Sequence, residues 1–218
     1  MNLKSKIILY FFGGGDSDNV SSHRSIIANL VNVAGFPALI FDYHPTPEFS
    51  APAAVNESAA FYRRMLDQGY QPEDIIFVGD SEGGGIEIVT LLKLKENNIP
   101  MPAACVAFSP CLGDPDHSFV STPSGDLAGL PPIMIHVGND EVMRKDLTCF
   151  AERADAAGVD IHVKIWKGMV SCFPLVAMMS DEATEAMKQV TEFIRRKLHK
   201  DDREFTAAFL DMILFSPF

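Results

Sequence analysis

The chain has 218 residues, 29 acidic and 18 basic, giving a formal net charge of −11; 47% of residues are hydrophobic. That length suits one domain whose core needs no disulfide or metal staple. The acidic excess argues against nucleic acid or anionic lipid as a partner, and no apolar run approaches the ~20 residues that span a bilayer.

The first apolar run, Ile7–Phe12, follows two lysines but is too short for an export signal, and no small-residue cleavage site follows it. It reads as a buried strand. Gly13-Gly14-Gly15 comes next, a stretch whose backbone N–H groups are free to line an anion-binding concavity. A dinucleotide fingerprint is the competing reading, but Asp16 and Asp18 stand where a pyrophosphate would lie. Ser22–Ala34 is helix-like, Ala38–Phe41 a second strand, and Pro52–Gln68 a second helix. The third strand, Ile75–Val78, runs into Gly79-Asp80-Ser81-Glu82-Gly83 and then a helix over Glu82–Glu96. G-x-S-x-G between a strand and a helix is the context in which a sharp turn lifts a serine hydroxyl above a sheet. The N–H of Glu82, at the helix start, would then face a developing oxyanion.

Ala104–Phe108 predicts a fourth strand, followed by a Gly-, Pro- and Ser-rich stretch over Pro110–Pro132. Asp114, Asp116 and His117 within it read as a solvated turn, not a cation site. Strands at Ile133–Val137 and Ile161–Trp166 bracket a helix over Arg144–Ala157, and Glu182–Leu198 closes the pattern as an amphipathic helix. Residues 1–199 thus read as one α/β core, a doubly wound and mainly parallel sheet of about six strands flanked by helices. The tail, 200–218, starts charged and ends apolar, and reads as a short packing helix. Cys105, Cys111, Cys149 and Cys172 form no C-x-x-C pair and read as reduced thiols of a cytoplasmic protein. No metal or cofactor is expected. The last strand should be a sheet edge, so a homodimer is the expected assembly.

These motifs, in this order, make the chain resemble the hormone-sensitive-lipase-like branch of the α/β-hydrolases, esterases acting on short acyl esters. Ile8 to Gly15 is similar to that family's strand and His-Gly-Gly-Gly loop, and Phe41-Asp42-Tyr43-His44-Pro45-Thr46-Pro47-Glu48 to its Asp-Tyr-Arg-x-x-Pro-Glu segment. Gly79 to Gly84 is similar to its Gly-Asp-Ser-Ala-Gly-Gly elbow, Leu130 to Val142 to its acid strand, and Trp166 to Val170 to the approach to its histidine. The resemblance implies Ser81 as nucleophile and Glu141, or its neighbour Asp140, as acid, with Glu141 favoured by spacing. It implies an oxyanion hole from Gly13, Gly14 and Glu82, and substrate contacts from Phe12, Gly15, Tyr43 and Val170.

Three departures cluster at this site: Ser171 holds the histidine position, Phe12 the loop histidine position, and Glu82 the place of the elbow alanine. A serine cannot take a proton from Ser81 near neutral pH as imidazole can. His44 and His117 lie on loops at the right sheet edge, while His23, His136, His162 and His199 read as helix or strand residues. Weak hydrolysis of a small ester is the expected function. The alternative is an inactive relative that keeps the pocket for an apolar acid or serves as a scaffold. Against the family, the chain is expected to lack the cap and the first strands, leaving an open, shallow site.

Overall fold

The computed structural model describes residues 6–13, 20–41, 51–113, 125–176 and 180–198. Six strands lie in one all-parallel sheet: β1 (Ile7–Phe11), β2 (Ala38–Phe41), β3 (Ile75–Asp80), β4 (Ala104–Phe108), β5 (Ile133–Gly138) and β6 (Ile161–Trp166), in the order β2-β1-β3-β4-β5-β6. Among the described residues six α-helices connect and cover them: α1 (Val20–Ala34), α2 (Ala51–Asp67), α3 (Ser81–Glu96), α4 (Arg144–Ala156), the short α5 (Phe173–Val176) and α6 (Asp181–Lys197). The doubly wound parallel sheet expected from the alternating pattern is therefore the observed architecture, and β6 is an edge strand.

Chain order and sheet order together create the site's location. From β1 the chain steps outward to β2, then returns past β1 to β3 and continues to β6. The reversal opens a crevice at the carboxyl ends of β1 and β3, the switch point where doubly wound sheets hold their ligands. Phe11 pairs with Gly79 across those two ends, so the glycine loop and the serine turn emerge side by side.

Right-handed crossovers send α1 to one face and α2 and α3 to the other. Accordingly α1 packs with α6, and α2 packs with α3. The central strands β1, β3 and β4 are buried along their whole length, which is why they are continuously apolar in sequence. Phe11 anchors the core between Phe41 and Phe77, with ring centroids 5.6 and 5.0 Å away. Edge strand β6 instead alternates half-buried and exposed residues, so only Ile161 and Val163 of its early residues reach the core.

Helix α6 carries complete terminal signals. Ser180 caps it by accepting the Ala183 amide at 3.1 Å, and Arg195, Arg196 and Lys197 complement the dipole in its last turn. Helix α3 differs, because its N-cap residue Asp80 makes no side-chain cap. That carboxylate is used elsewhere, as the site shows. Among the described residues no helix is long and apolar enough to cross a membrane. The tail 200–218, His44, His117 and His199 lie outside the described residues.

Candidate active site

Ser81 is the first residue of α3, directly after β3, and its φ is +49°. Left-handed backbone costs a non-glycine residue of order 1–3 kcal/mol and persists only where the surroundings enforce it. Two neighbours in space share the conformation, Ser109 at +48° and Cys172 at +52°. Three strained turns thus converge on one spot, from the ends of β3 and β4 and from the loop after β6.

The glycines around the turn are there for close approach. A Cβ on Gly13 would stand 2.7 Å from the Cβ of Ser81 and 2.6 Å from a carboxylate oxygen of Asp80. A Cβ on Gly83 would press into the carbonyls of Phe11 and Phe12, so the start of α3 rests directly on the end of β1.

Asp80 fixes that contact. Its Oδ1 accepts the Tyr10 hydroxyl at 2.7 Å and the Gly13 amide at 3.0 Å, and its Oδ2 lies 3.3 Å from His23 Nε2. All four residues are buried. Burial, then the nearby Asp80 charge, pushes the Tyr10 phenol well above its usual range, so it stays a donor. The Gly13 amide, expected among the oxyanion donors, is therefore engaged with Asp80. Its role is to hold the glycine loop against the elbow. Because Asp80 does not cap α3, the first N–H groups of that helix, Glu82's included, are not covered by the side chain that would ordinarily take them.

A carboxylate lies across the site. Glu141, in the turn after β5, accepts from the Ser109 hydroxyl at 2.8 Å and from the Gly138 amide. Ser109 in turn accepts the Cys172 amide at 2.8 Å. One serine thus ties the Glu141 turn to the loop carrying Ser171. Asp140 points away at the surface, paired with the Asn139 side chain at 2.8 Å. Of the two acids considered from sequence, the geometry brings Glu141 into the cluster.

Ser171 is exposed, and its hydroxyl meets Cys172 Sγ at 3.9 Å. Val170 beside it is 62% exposed. Phe12 is buried with its ring 5.6 Å from that of His23. Gly14, Gly15 and Tyr43 lie outside the described residues. The Ser81 hydroxyl donates to Glu82 Oε2 at 2.8 Å and lies 3.5 Å from Cys111 Sγ. The Cys111 amide also donates to the Ser81 carbonyl at 2.8 Å, so this cysteine brackets the turn. Burial raises the Cys111 thiol and pushes that of Cys172 up to about 12, so neither is a thiolate nucleophile at neutral pH.

Two histidines are committed elsewhere. His136 is buried, accepts from Trp166 Nε1 at 2.9 Å, and is pushed down to about 4 by burial and then by Lys164. His162 pairs with Asp160 at 2.9 Å on the exposed face of β6. Among the described residues no three His, Cys, Asp or Glu side chains gather as metal ligands.

The sequence reading gave no part to Tyr10, Asp80 as a clamp, His23, Ser109 or Cys111. Asp80 and Ser109 had a local signal, since each polar residue closes a wholly apolar strand at the functional edge of the sheet. The partners of Tyr10 and His23 are 70 and 57 residues away in sequence, and nothing local announces them.

The chain matches the family model for the alpha/beta hydrolase fold over residues 8–118 and 112–175. It is 30% identical to an acetyl-hydrolase of Streptomyces hygroscopicus, over 87% of this chain and 75% of that protein. It is 27% identical to an esterase of Acinetobacter venetianus, over 87% and 74%. Among solved structures, an esterase/lipase from an uncultured bacterium superposes with a TM-score of 0.82 at 31% identity, over 89% of this chain and 78% of that one. A hormone-sensitive lipase from a metagenome library does so with a TM-score of 0.79 at 32% identity, over 88% and 78%.

Proposed function

The chain belongs to the α/β-hydrolase family, in its hormone-sensitive-lipase branch, and from that premise we propose that it is a carboxylic ester hydrolase with Ser81 as its nucleophile. The observation that carries the assignment is the strained elbow: Ser81 at φ +49°, on the strand-to-helix turn, at the sheet's switch point.

Attack by Ser81 Oγ on the ester carbonyl places negative charge on the carbonyl oxygen. The Glu82 amide at the start of α3 and the Gly14 amide of the loop that Asp80 clamps are the donors for it. The resulting acyl-enzyme is released by water. Glu141, held by Ser109, is the acid of the site, but the residue at the family's histidine position is Ser171. Turnover is accordingly slow. Binding and an oxyanion hole alone sustain roughly 10³–10⁴-fold acceleration over water in serine hydrolases stripped of their triad.

The substrate proposed is a small ester with a short acyl chain, seated with Val170 at the rim of the site. A cytoplasmic homodimer paired along the open edge of β6 belongs to the same reading, and light scattering over a concentration series reads it. The direct test is hydrolysis of p-nitrophenyl acetate by wild type and Ser81→Ala. Wild type should exceed the variant by at least tenfold, and equal rates would overturn the assignment.

A further inference from the structure

We propose that the Glu82 carboxylate is the general base that serves Ser81 in place of the missing imidazole. The inference rests on Ser81 being the nucleophile.

Geometry is the first ground. The Ser81 hydroxyl donates to Glu82 Oε2 at 2.8 Å, inside the 2.6–3.2 Å reach that a base needs for the proton it removes. Among the described residues, Cys111 Sγ also lies near Oγ, at 3.5 Å. With its proton directed at Glu82, Ser81 can only accept from Cys111. The order is then thiol to hydroxyl to carboxylate, and it delivers the serine proton toward Glu82. Ser171, on the loop where the family keeps its base, turns its hydroxyl to Cys172.

Charge conservation is the second ground. A carboxylate next to an oxyanion hole opposes the transition state if it stays charged. If it takes the Ser81 proton, it becomes neutral as the oxyanion forms. The negative charge then moves within one site, from Glu82 to the ester oxygen beneath the same helix N-terminus, and no second charge accumulates. A glutamate at this position is self-defeating as a bystander but consistent as a base.

The steps balance. As Ser81 Oγ bonds to the carbonyl carbon, its proton passes to Glu82 Oε2 and the carbonyl π pair moves to oxygen. When the tetrahedral adduct collapses, the bond to the alcohol oxygen breaks and that oxygen takes the proton from Glu82. In the second half, water gives a proton to Glu82 as its oxygen bonds to the acyl carbon. Ser81 Oγ then leaves and recovers the proton. Ester and water become acid and alcohol, and the enzyme is unchanged.

The two roles open to Glu82 predict opposite signs. Glu82→Gln keeps the size and a hydrogen-bond acceptor but cannot hold a proton. If Glu82 is the base, p-nitrophenyl acetate hydrolysis by Glu82→Gln falls about 10²-fold or more, toward the Ser81→Ala level. If it is only an adverse charge, the same variant is as fast as wild type or faster, and the inference is overturned. The double variant Glu82→Ala/Ser171→His should recover activity relative to Glu82→Ala, because it returns a base to the site. Failure of Glu82→Ala to lose activity in the first place also overturns the inference. Melting curves of each variant separate lost chemistry from lost folding. Absence of any Ser81-dependent rate in the wild type would sink the nucleophile assignment itself, an outcome distinct from a normal wild type with an unimpaired Glu82→Gln.

Discussion

The Tyr10 hydroxyl donates a hydrogen bond to Asp80 at 2.7 Å, joining β1 to β3 one residue before Ser81. The same carboxylate oxygen takes the Gly13 amide at 3.0 Å, so a single buried acid sets the distance between the glycine loop and the elbow.

Removing that phenol should affect stability and turnover together. Tyr10→Phe leaves a buried carboxylate short of a donor, at a cost of about 1–3 kcal/mol, or a Tm lower by several degrees for a chain of this size. On the proposed mechanism the Gly14 amide acts on the transition state more than on bound ester, so loosening the Gly13 attachment should show in kcat. A roughly tenfold fall in kcat for p-nitrophenyl acetate with KM little changed is expected. A lowered Tm with unaltered kcat would show that the clamp is only structural.

The loop carrying Ser171 is tied to Glu141 through the Cys172 amide and the Ser109 hydroxyl, with 2.8 Å at both links. On the proposed mechanism the positions for a base and its orienting acid are kept, and the imidazole is replaced by a serine. Ser171→His should raise kcat/KM on a short ester by about 10²-fold, the lower part of the general-base range. Its pH–rate profile should gain a limb near the ordinary imidazole value of ~6.5. No gain, with the fold intact by circular dichroism, would mean that the loop no longer delivers residue 171 to Ser81.

The contrast between these two regions explains what could be read in the sequence. Strands β1, β3 and β4 were legible because each is buried on both faces and therefore almost continuously apolar, and the elbow because G-x-S-x-G sits between strand and helix. Position 171 was legible from the Gly168-Met169-Val170 run directly before it. The Tyr10–Asp80–His23 cluster was not, since Tyr10 reads simply as one more aromatic in an apolar strand. Its phenol finds a partner only when β1 and β3 become neighbours. The engagement of Gly13 with Asp80 was hidden for the same reason: a triple glycine says that backbone N–H groups are accessible, not which of them is already taken. Ser109 combines a strained backbone with two hydrogen bonds to segments about 30 and 60 residues later, and no local pattern encodes that.

Glu87 sits on α3 one turn beyond the elbow, fully buried, beside Cys105 and the Gly79 backbone. Neither of its oxygens makes a hydrogen bond of good geometry. Burial first, and the Asp80 charge as an opposing neighbour, raise it well above the usual carboxylate range, so the folded protein holds it as the neutral acid. Unfolding releases that proton once the pH exceeds the ordinary Glu value of ~4.3. The folded state therefore has its full advantage below that pH and loses it as pH rises. Glu87→Gln has no such proton. The Tm of the variant minus that of wild type should become more positive from pH 5 to pH 8, by several degrees. A difference independent of pH would mean that Glu87 is ionised in the folded state.

His136 gives the opposite slope. It is 1% exposed and stacks on Trp166 with centroids 5.8 Å apart. Its Nδ1 accepts the indole N–H at 2.9 Å, so in the neutral ring the proton is on Nε2, which has no partner. Burial, then Lys164, lowers it to about 4, against ~6.5 in the unfolded chain. Below pH 6.5 the unfolded state takes up a proton that the folded state refuses, so stability is full above that pH and falls as acid is added. Between pH 7 and pH 5 the loss is roughly 2 kcal/mol at 1.36 kcal/mol per unit, or about 4–8 °C in Tm. His136→Gln keeps an acceptor for Trp166 but cannot be protonated. It should start from a somewhat lower Tm at pH 7 and lose less on going to pH 5. Parallel Tm curves for the two proteins would show that the acid sensitivity arises elsewhere.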